Sequence, residues 1–234
     1  MPNTKPMLAV KADIKHIQPE DLISPKLDGI RGINVEGQML TRTLKPIPNR
    51  HIRAVWSRPE FNGIDGEFIL GDPTAPDVYR ATNSAIMRHE GTPPLTLYAF
   101  DDFSRPELPY VDRLDVLRER VEQVKQSIPS DAQIIILDQR VAGTEPAEIE
   151  EQYLAQGYEG IIARDPAQPY KFGRSTLRER KLLKVKRFTE AEAIVVDAVE
   201  LMTNENDPIL NELGYTARST AKNGLVAADT LGAL

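Results

Sequence analysis

The chain has 234 residues, of which 41% are apolar and 27% charged, a composition typical of soluble globular proteins with room for one ordinary domain and a smaller partner. It contains no cysteine, which excludes disulfides, thiolate zinc sites and a cysteine nucleophile. The formal charge of -6 argues against nucleic-acid binding over the whole surface but is compatible with a local basic groove.

The three histidines, His16, His51 and His89, are never four residues apart, so a histidine-based metal site on one helix face is not expected. The start of the chain lacks the basic and then apolar build of a secretory signal, and no apolar run is long enough to span a bilayer. We therefore expect a cytoplasmic protein without a membrane partner.

Hydrophobic periodicity predicts an α+β body rich in antiparallel strands. The predicted strands cover residues 33–41, 64–70, 95–100, 133–137, 160–163 and 182–185. Apolar residues at helical spacing predict helices over 111–128 and over 146–156, the second closed by Gly157. The character of the sequence changes near residues 187–189, where a new strand is expected to follow. We therefore predict two domains, 1–187 and 188–234, of which the second is short for an independent β-barrel.

Basic residues are concentrated in one segment. Residues 171–187 carry eight lysines and arginines against the single acid Glu179. A solvated helix or strand face is the alternative to a binding function for such a run.

The most specific local pattern is K-x-D-G-x-R, formed by Lys26, Asp28, Gly29 and Arg31. A lysine amine acts as a covalent nucleophile when it is neutral, so its ordinary pKa of about 10.4 must be lowered by its surroundings. Lys184 and Lys186 lie one residue apart in a strand candidate and therefore share a face. Packed beside Lys26, they would lower the pKa of its amine by like-charge repulsion and would bind a phosphate. Alternatively, they are two exposed lysines whose stems cover apolar surface.

Six segments in chain order resemble the motifs of the covalent nucleotidyltransferases, which comprise ATP-dependent DNA ligases, RNA ligases and mRNA capping enzymes. Residues 26–31 resemble motif I, and the other matches are residues 41–43 (Ia), 64–67 (III), 98–101 (IIIa), 158–162 (IV) and 183–186 (V). The resemblance implies an ATP-grasp-like nucleotidyltransferase domain of antiparallel sheets flanked by helices, followed by the beginning of an OB-fold β-barrel.

The resemblance also implies roles for individual residues. Lys26 would attack the α-phosphorus of ATP, and Asp28 would orient that lysine or hold a metal. Glu67 and Glu159 would supply oxygens to Mg²⁺, with Mn²⁺ possible, or to the ribose. The remaining nucleotide contacts implied are Arg31, Arg42, Phe100, Lys184 and Lys186, with Phe100 facing the purine and Tyr98 on the same side of its strand.

Within the superfamily, motifs Ia and V look most like ATP-dependent DNA ligases, and residues 191–225 resemble the start of the OB fold in compact ligases of the bacteriophage type. RNA ligases resemble K-x-x-G more loosely, so Asp28 and Arg31 weigh against them, while capping enzymes share K-x-D-G and stay open as an alternative.

The implied partner is nicked double-stranded DNA, bound by a monomer. The implied DNA contacts are Arg31, Arg42, Lys171, Arg174 and Arg178, with Arg180 and Arg187 along the same groove. No basic motif VI is found before Leu234, so we expect a truncated or reduced second domain. We also expect no DNA-encircling domain before motif I, because this motif begins early in the sequence.

Overall fold

The computed structural model describes residues 4–129, 132–187, 192 and 194–233. The chain divides into two compact units, Met1–Arg187 and Phe188–Leu234. In its described residues, the first unit contains two five-stranded sheets and four α-helices, and the described part of the second contains two pairs of strands. The predicted α+β class is confirmed.

Sheet I has the strand order β1-β10-β9-β2-β8. Its strands are β1 (Val10–Lys11), β2 (Leu22–Pro25), β8 (Arg140–Val141), β9 (Gly160–Arg164) and β10 (Leu183–Lys186). All its neighbours are antiparallel except β1 and β10, which are parallel. One face of β9 is fully buried through Ile161 and Ala163, which pack in the same apolar cluster as Tyr153.

Sheet II has the order β4-β3-β5-β6-β7. Its strands are β3 (Ile30–Val35), β4 (Gln38–Leu40), β5 (Ile64–Leu70), β6 (Leu95–Asp102) and β7 (Gln133–Ile136). Its neighbours are antiparallel except β6 and β7. The main apolar core lies on this sheet, where Trp56 packs against Phe61 and Phe68 at ring-centroid distances of 5.2 and 5.4 Å.

The four helices are α1 (Arg50–Trp56), α2 (Val78–Met87), α3 (Tyr110–Lys125) and α4 (Pro146–Ala155). Helix α3 packs on β6 and β7, and helix α4 packs on β9. The predicted apolar stripe of α3 is buried through Leu114, Leu117, Val121 and Val124. Helix α4 begins at a proline that needs no N–H partner.

Several local features differ from the predictions, among them strands β1, β2 and β8, which were not predicted. The strand predicted over 33–41 is the hairpin β3–β4, because Glu36 and Gly37 adopt positive φ of 52° and 77° and turn the chain. Helices α1 and α2 were not predicted. The start of α1 had a readable signal, since the Asn49 side chain accepts a hydrogen bond from Ile52 N at 2.9 Å.

The second unit is made of strand pairs. Strands β11 (Val199–Asn204) and β14 (Leu225–Ala233) pair antiparallel, as do β12 (Pro208–Leu210) and β13 (Thr216–Arg218). The strand predicted after the boundary therefore begins at Val199, and residues 191 and 193 of that prediction lie outside the described residues. The assignment of this unit to an OB fold stays a prediction.

Candidate active site

A cavity of about 580 Å³ in the first unit is lined by residues of both sheets. Its charged lining consists of seven basic side chains and one carboxylate: Lys26, Arg31, Arg42, Lys45, Arg164, Arg174, Lys184 and Glu67. Apolar side chains, among them Phe100 and Ile162, complete the wall. A concave site with this excess of positive charge suits a phosphate-bearing ligand with a flat apolar part.

Lys26 directly follows strand β2, and its backbone N donates to Gly160 O at 2.8 Å. Its ammonium group donates to Oε2 of Glu159, and Lys186 donates to Oε1 of the same carboxylate. Burial by itself raises the pKa of Glu159, but the hydrogen bonds from Lys186 and Lys26 outweigh it, so the pKa lies below the ordinary glutamate value. The carboxylate thus holds two cations side by side.

The close approach of β9 and β10 depends on a glycine. Gly160 has φ of +148°, and a Cβ there would lie 2.2 Å from Val185 O. Because only glycine tolerates both the backbone angle and this contact, Gly160 allows the neighbouring Glu159 to reach Lys186. Lys184 lines the cavity from β10, and its pKa is lowered by burial and by the nearby positive charge of Lys26.

Sheet II supplies the acid and the aromatic ring. Arg31 and Glu67 face each other as register partners on β3 and β5. Burial raises the pKa of Glu67 to about 7, although the charges of Arg31 and Lys26 act in the opposite direction. Tyr98 and Phe100 alternate with buried residues along β6 and therefore share a face, as predicted; Phe100 also lines the cavity.

The segment between β4 and α1 carries two further cations. Leu44 has φ of 60°, and the turn is closed by hydrogen bonds from Thr41 N to Lys45 O (2.8 Å) and from Leu44 N to Thr41 O (2.9 Å). This tight turn presents the exposed side chains of Arg42 and Lys45 to the cavity. Lys45 was not among the predicted site residues, although it lies two positions after the motif Ia match.

Arg31 is more strongly engaged with the protein than expected. Its Nε and Nη2 donate to Asp65 at 2.7 and 2.5 Å, and its Nη1 donates to Met7 O at 2.8 Å. The side chain is 12% exposed. Any role toward ribose or DNA therefore depends on the N–H groups that these bonds leave available.

Asp28 is exposed and is not part of the cavity lining, yet it lies near enough to Glu67 for its charge to add to the effect of burial on the pKa of that carboxyl. In the described structure the carboxylate that contacts the Lys26 amine is Glu159. The orienting and metal-binding roles of Asp28 stay predictions.

The basic segment is partly neutralised by ion pairs. Lys171 donates to both oxygens of Glu179 at 2.7 and 2.6 Å. Two arginines of the basic segment are also paired with carboxylates: Arg180 with the buried Asp21, and Arg187 with the buried Glu150. Arg174 lines the cavity and Arg178 is exposed, so these two are the best placed of the predicted DNA contacts in this segment.

A group of buried charges below the cavity was missed in the sequence. Asp65 also accepts a hydrogen bond from the Tyr170 hydroxyl at 2.8 Å. Asp101 accepts from Arg113 and from Arg164. Both aspartates lie inside the matched motifs, so they could have been singled out, whereas Arg113 and Arg164, the partners of Asp101, carry no signal in the sequence.

Glu67 and Glu159 are the two carboxylates predicted to hold a divalent metal. Glu67 lines the cavity, and the two oxygens of Glu159 accept hydrogen bonds from Lys26 and Lys186. Among the described residues, no group of three or more His, Cys, Asp or Glu side chains could hold a metal ion. One or two carboxylates completed by substrate phosphates is, however, the usual environment of Mg²⁺, and this donor set fits it.

The described part of the chain also contains no helix long and apolar enough to cross a membrane.

The family model described as "ATP dependent DNA ligase domain" matches residues 5–186. The chain belongs to this family of ligases. A probable DNA ligase of Kineococcus radiotolerans is 31% identical over 87% of this chain and 41% of its own length. DNA ligase B of Mycobacterium tuberculosis is 29% identical over 94% of this chain and 46% of its own length. The chain thus spans less than half the length of these relatives of the ligase family.

Solved ligases share the fold. The Chlorella virus DNA ligase-adenylate is 33% identical, with a TM-score of 0.69 over 85% of this chain and 74% of that one. The bacteriophage T7 ATP-dependent DNA ligase in complex with ATP is 18% identical, with a TM-score of 0.61 over 93% of this chain and 81% of that one, which shows the fold alone. The predicted family and its nucleotidyltransferase fold are confirmed.

Proposed function

We propose that this chain is the catalytic part of an ATP-dependent DNA ligase that joins nicked double-stranded DNA through a lysyl-adenylate at Lys26. One observation carries the proposal: the Lys26 amine, bonded to Glu159, lines a cavity whose other charged groups are nearly all basic. An amine nucleophile beside a cationic phosphate site is what covalent nucleotidyl transfer requires. Membership of the ligase family supports the same reaction.

In the first step, the lone pair of Lys26 Nζ attacks the α-phosphorus of ATP. A P–N bond forms, the bond from the α-phosphorus to the bridging oxygen breaks, and pyrophosphate leaves. Glu159 accepts a hydrogen bond from the Lys26 ammonium and would hold Nζ toward the α-phosphorus. The proton that Nζ must lose before the attack would pass to solvent, because the lowered pKa of Glu159 makes this carboxylate a weak base. Lys184, Lys186 and Arg42 would stabilise the charge on the phosphates.

The nucleoside would be held by sheet II. Phe100 offers its ring to the adenine, and Arg31 offers its remaining N–H groups to the ribose. Glu67 and Glu159 would hold Mg²⁺, or Mn²⁺ in its place. When bound, such an ion neutralises phosphate charge and orients the phosphates for in-line displacement.

Two further steps complete the joining reaction. The 5′-phosphate of the nick attacks the adenylate phosphorus, which transfers AMP to the DNA and frees Lys26. The 3′-hydroxyl then attacks the activated 5′-phosphate, forming the phosphodiester and releasing AMP. Arg42, Arg174 and Arg178 are the preferred DNA contacts, with Arg31 and Lys171 contributing less because of their ion pairs.

The wider assignments follow from this function. Residues 1–187 would form the adenylation domain, and residues 188–234 part of an OB-fold domain. A monomer acting in the cytoplasm on DNA replication, repair and recombination intermediates suits the reaction.

Intact mass after incubation with Mg²⁺ and either ATP or GTP tests the proposal. We expect a gain of one AMP with ATP and no gain with GTP. Lys26→Arg keeps the positive charge next to Glu159 but removes the lysine nucleophile, so it should abolish the gain. A gain with GTP instead would identify a capping-type enzyme, and a gain in the Lys26→Arg protein would assign the nucleophile elsewhere.

A further inference from the structure

Arg164 is a cavity residue to which the reaction above assigns no role. It is the last residue of β9 in sheet I and is 4% exposed. Together with Ile162, two positions earlier on the same face, it lines the cavity. A buried guanidinium at a substrate cavity requires a structural or a functional explanation.

The guanidinium of Arg164 connects the two sheets. Its Nη1 donates to Oδ2 of Asp101, on β6 of sheet II, at 2.5 Å. Sheet I carries Lys26 at the end of β2, and sheet II carries Phe100 next to Asp101. The bond therefore joins the strand that carries the aromatic ring to the sheet that carries the nucleophile.

Arg164 also packs on the aromatic ring itself. Its guanidinium carbon lies 5.1 Å from the centroid of Phe100 and 4.7 Å from that of Tyr110. The Tyr110 hydroxyl donates to Phe100 O at 2.9 Å. Arginine is suited to such a position because its planar group stacks on a ring while its N–H groups bond a carboxylate. The ring and the backbone of Phe100 are thus both fixed.

Asp101 does not depend on Arg164 alone for its charge balance. Arg113 of helix α3 is 1% exposed and donates to Asp101 through Nε at 2.8 Å and Nη2 at 3.1 Å. Loss of Arg164 therefore leaves the buried carboxylate paired, and the fold should tolerate the change. Arg31 also lies over the Phe100 ring, with its guanidinium carbon 5.2 Å from the centroid, but of these two arginines it is Arg164 that is bonded to Asp101, the residue next to Phe100 on β6.

We infer that Arg164 is a positioning residue for the base of the nucleotide. Held by Asp101, it keeps the Phe100 ring in the orientation that receives the adenine. It acts through the ring and not on the phosphates. This inference rests on the proposed function, since it concerns the same nucleotide site.

The first test compares a ligand with a base and a ligand without one. Arg164→Met keeps most of the side-chain length but removes the cation. In the Lys26→Arg background, which separates binding from chemistry, we expect the Kd of ATP to rise by about tenfold and the Kd of inorganic tripolyphosphate to stay unchanged. With Lys26 present, the KM for ATP in adenylation should rise while kcat stays close to that of the parent protein. Equal weakening of both ligands would overturn the inference, because Arg164 would then bind phosphate.

The second test is a double-mutant cycle with Phe100→Ala. If Arg164 acts through the ring, Arg164→Met should weaken ATP binding in the parent protein but cause no further loss once the ring is absent. If the two substitutions instead weaken ATP binding independently, so that their factors multiply in the double variant, the inference is overturned. Arg164→Lys, which keeps the charge but not the planar group, is used in the same cycle if Arg164→Met does not fold, with the same two outcomes.

The matched control is Arg140→Met. Arg140 also lies over an aromatic ring, at 5.8 Å from the centroid of Tyr153, but it is outside the cavity lining. It should leave the Kd of ATP unchanged, and an equal rise would mean that loss of any such arginine disturbs the fold. Failure of the parent protein to bind ATP would instead contradict the proposed function itself.

Discussion

At the residue scale, the ionisation of the Glu67 carboxyl in the cavity should make the stability of the protein depend on pH. Burial raises its pKa from 4.5 to about 7. The folded protein therefore favours the neutral carboxyl, whereas the unfolded chain loses the proton at lower pH. The contribution of the Glu67 carboxyl to the free energy of unfolding is fully present below pH 4.5 and is lost as the pH rises through 7.

Glu67→Gln should remove this pH dependence. We expect the free energy of unfolding of the variant to change less than that of the parent between pH 4.5 and 7. Above that range the variant should be the more stable protein, by up to about 3 kcal/mol for a pKa raised from 4.5 to about 7. Urea unfolding at several pH values, without metal or nucleotide, measures this. Parallel profiles for the two proteins would contradict the expected pKa.

Phe100 should contribute to nucleotide affinity by stacking on the base. For Phe100→Ala we expect ATP binding to weaken by about 1 to 3 kcal/mol, measured by calorimetry in the Lys26→Arg background. Tyr98→Ala is the matched control, because Tyr98 shares the face of β6 but is not part of the cavity lining. Equal losses for the two variants would remove Phe100 from the base site.

At the element scale, the pairing of β9 with β10 determines the geometry around Lys26. Lys26 N bonds Gly160 O, and Gly160 is the register partner of Lys186. The two strands thus bring both lysines to Glu159. Any side chain at position 160 would push β10 away, since a Cβ there would meet Val185 O at 2.2 Å.

Gly160→Ala should therefore be severe. We expect a loss of stability of about 2 to 4 kcal/mol, from strain and backbone overlap, together with loss of Lys26 adenylation. Thermal unfolding and intact mass measure the two effects. Gly173→Ala is the matched control, because Gly173 also has positive φ, of +116°, but nothing lies within 4 Å of its added Cβ. If Gly160→Ala and Gly173→Ala cause similar losses of stability and adenylation, the backbone angle alone, and not the contact with β10, is responsible.

At the scale of the whole molecule, a net charge of -6 coexists with a strongly basic cavity. Pairing explains part of this distribution, since Lys171, Arg180 and Arg187 are each matched by a carboxylate. The lysines and arginines at the cavity that are not paired with a carboxylate are the ones that can release counterions when they bind DNA phosphates.

Arg174→Ala should reduce the salt dependence of binding to nicked DNA. We expect the slope of log K against log salt to become shallower by about 1 unit, measured by anisotropy over a salt series. Arg187→Ala removes an arginine of the same segment that is paired with Glu150, and it should leave the slope almost unchanged. A change only in the Arg187 variant would move the DNA path away from the cavity.

Local patterning was enough to predict several elements and the residue types of the site. Strand β5 and the start of α4 agree with the prediction because alternation and a proline at the first helical position are local properties. The lysines, the carboxylates and the aromatic ring of the motifs were likewise recognisable as candidate site residues. The hairpin turn at Glu36 and Gly37 was missed because Ile33, Val35 and Met39 keep the alternation of a single strand across it.

The sequence by itself thus determined the family, the α+β class and the candidate nucleophile. Tertiary structure alone decided which charges meet: Lys26 with Glu159, 133 positions away, and Arg164 with Asp101, 63 positions away. It also left Asp28 outside the cavity lining and turned much of Arg31 toward Asp65. The physical reason is that side-chain pairing depends on strand register and sheet packing, which bring distant residues together without leaving a spacing pattern in the sequence.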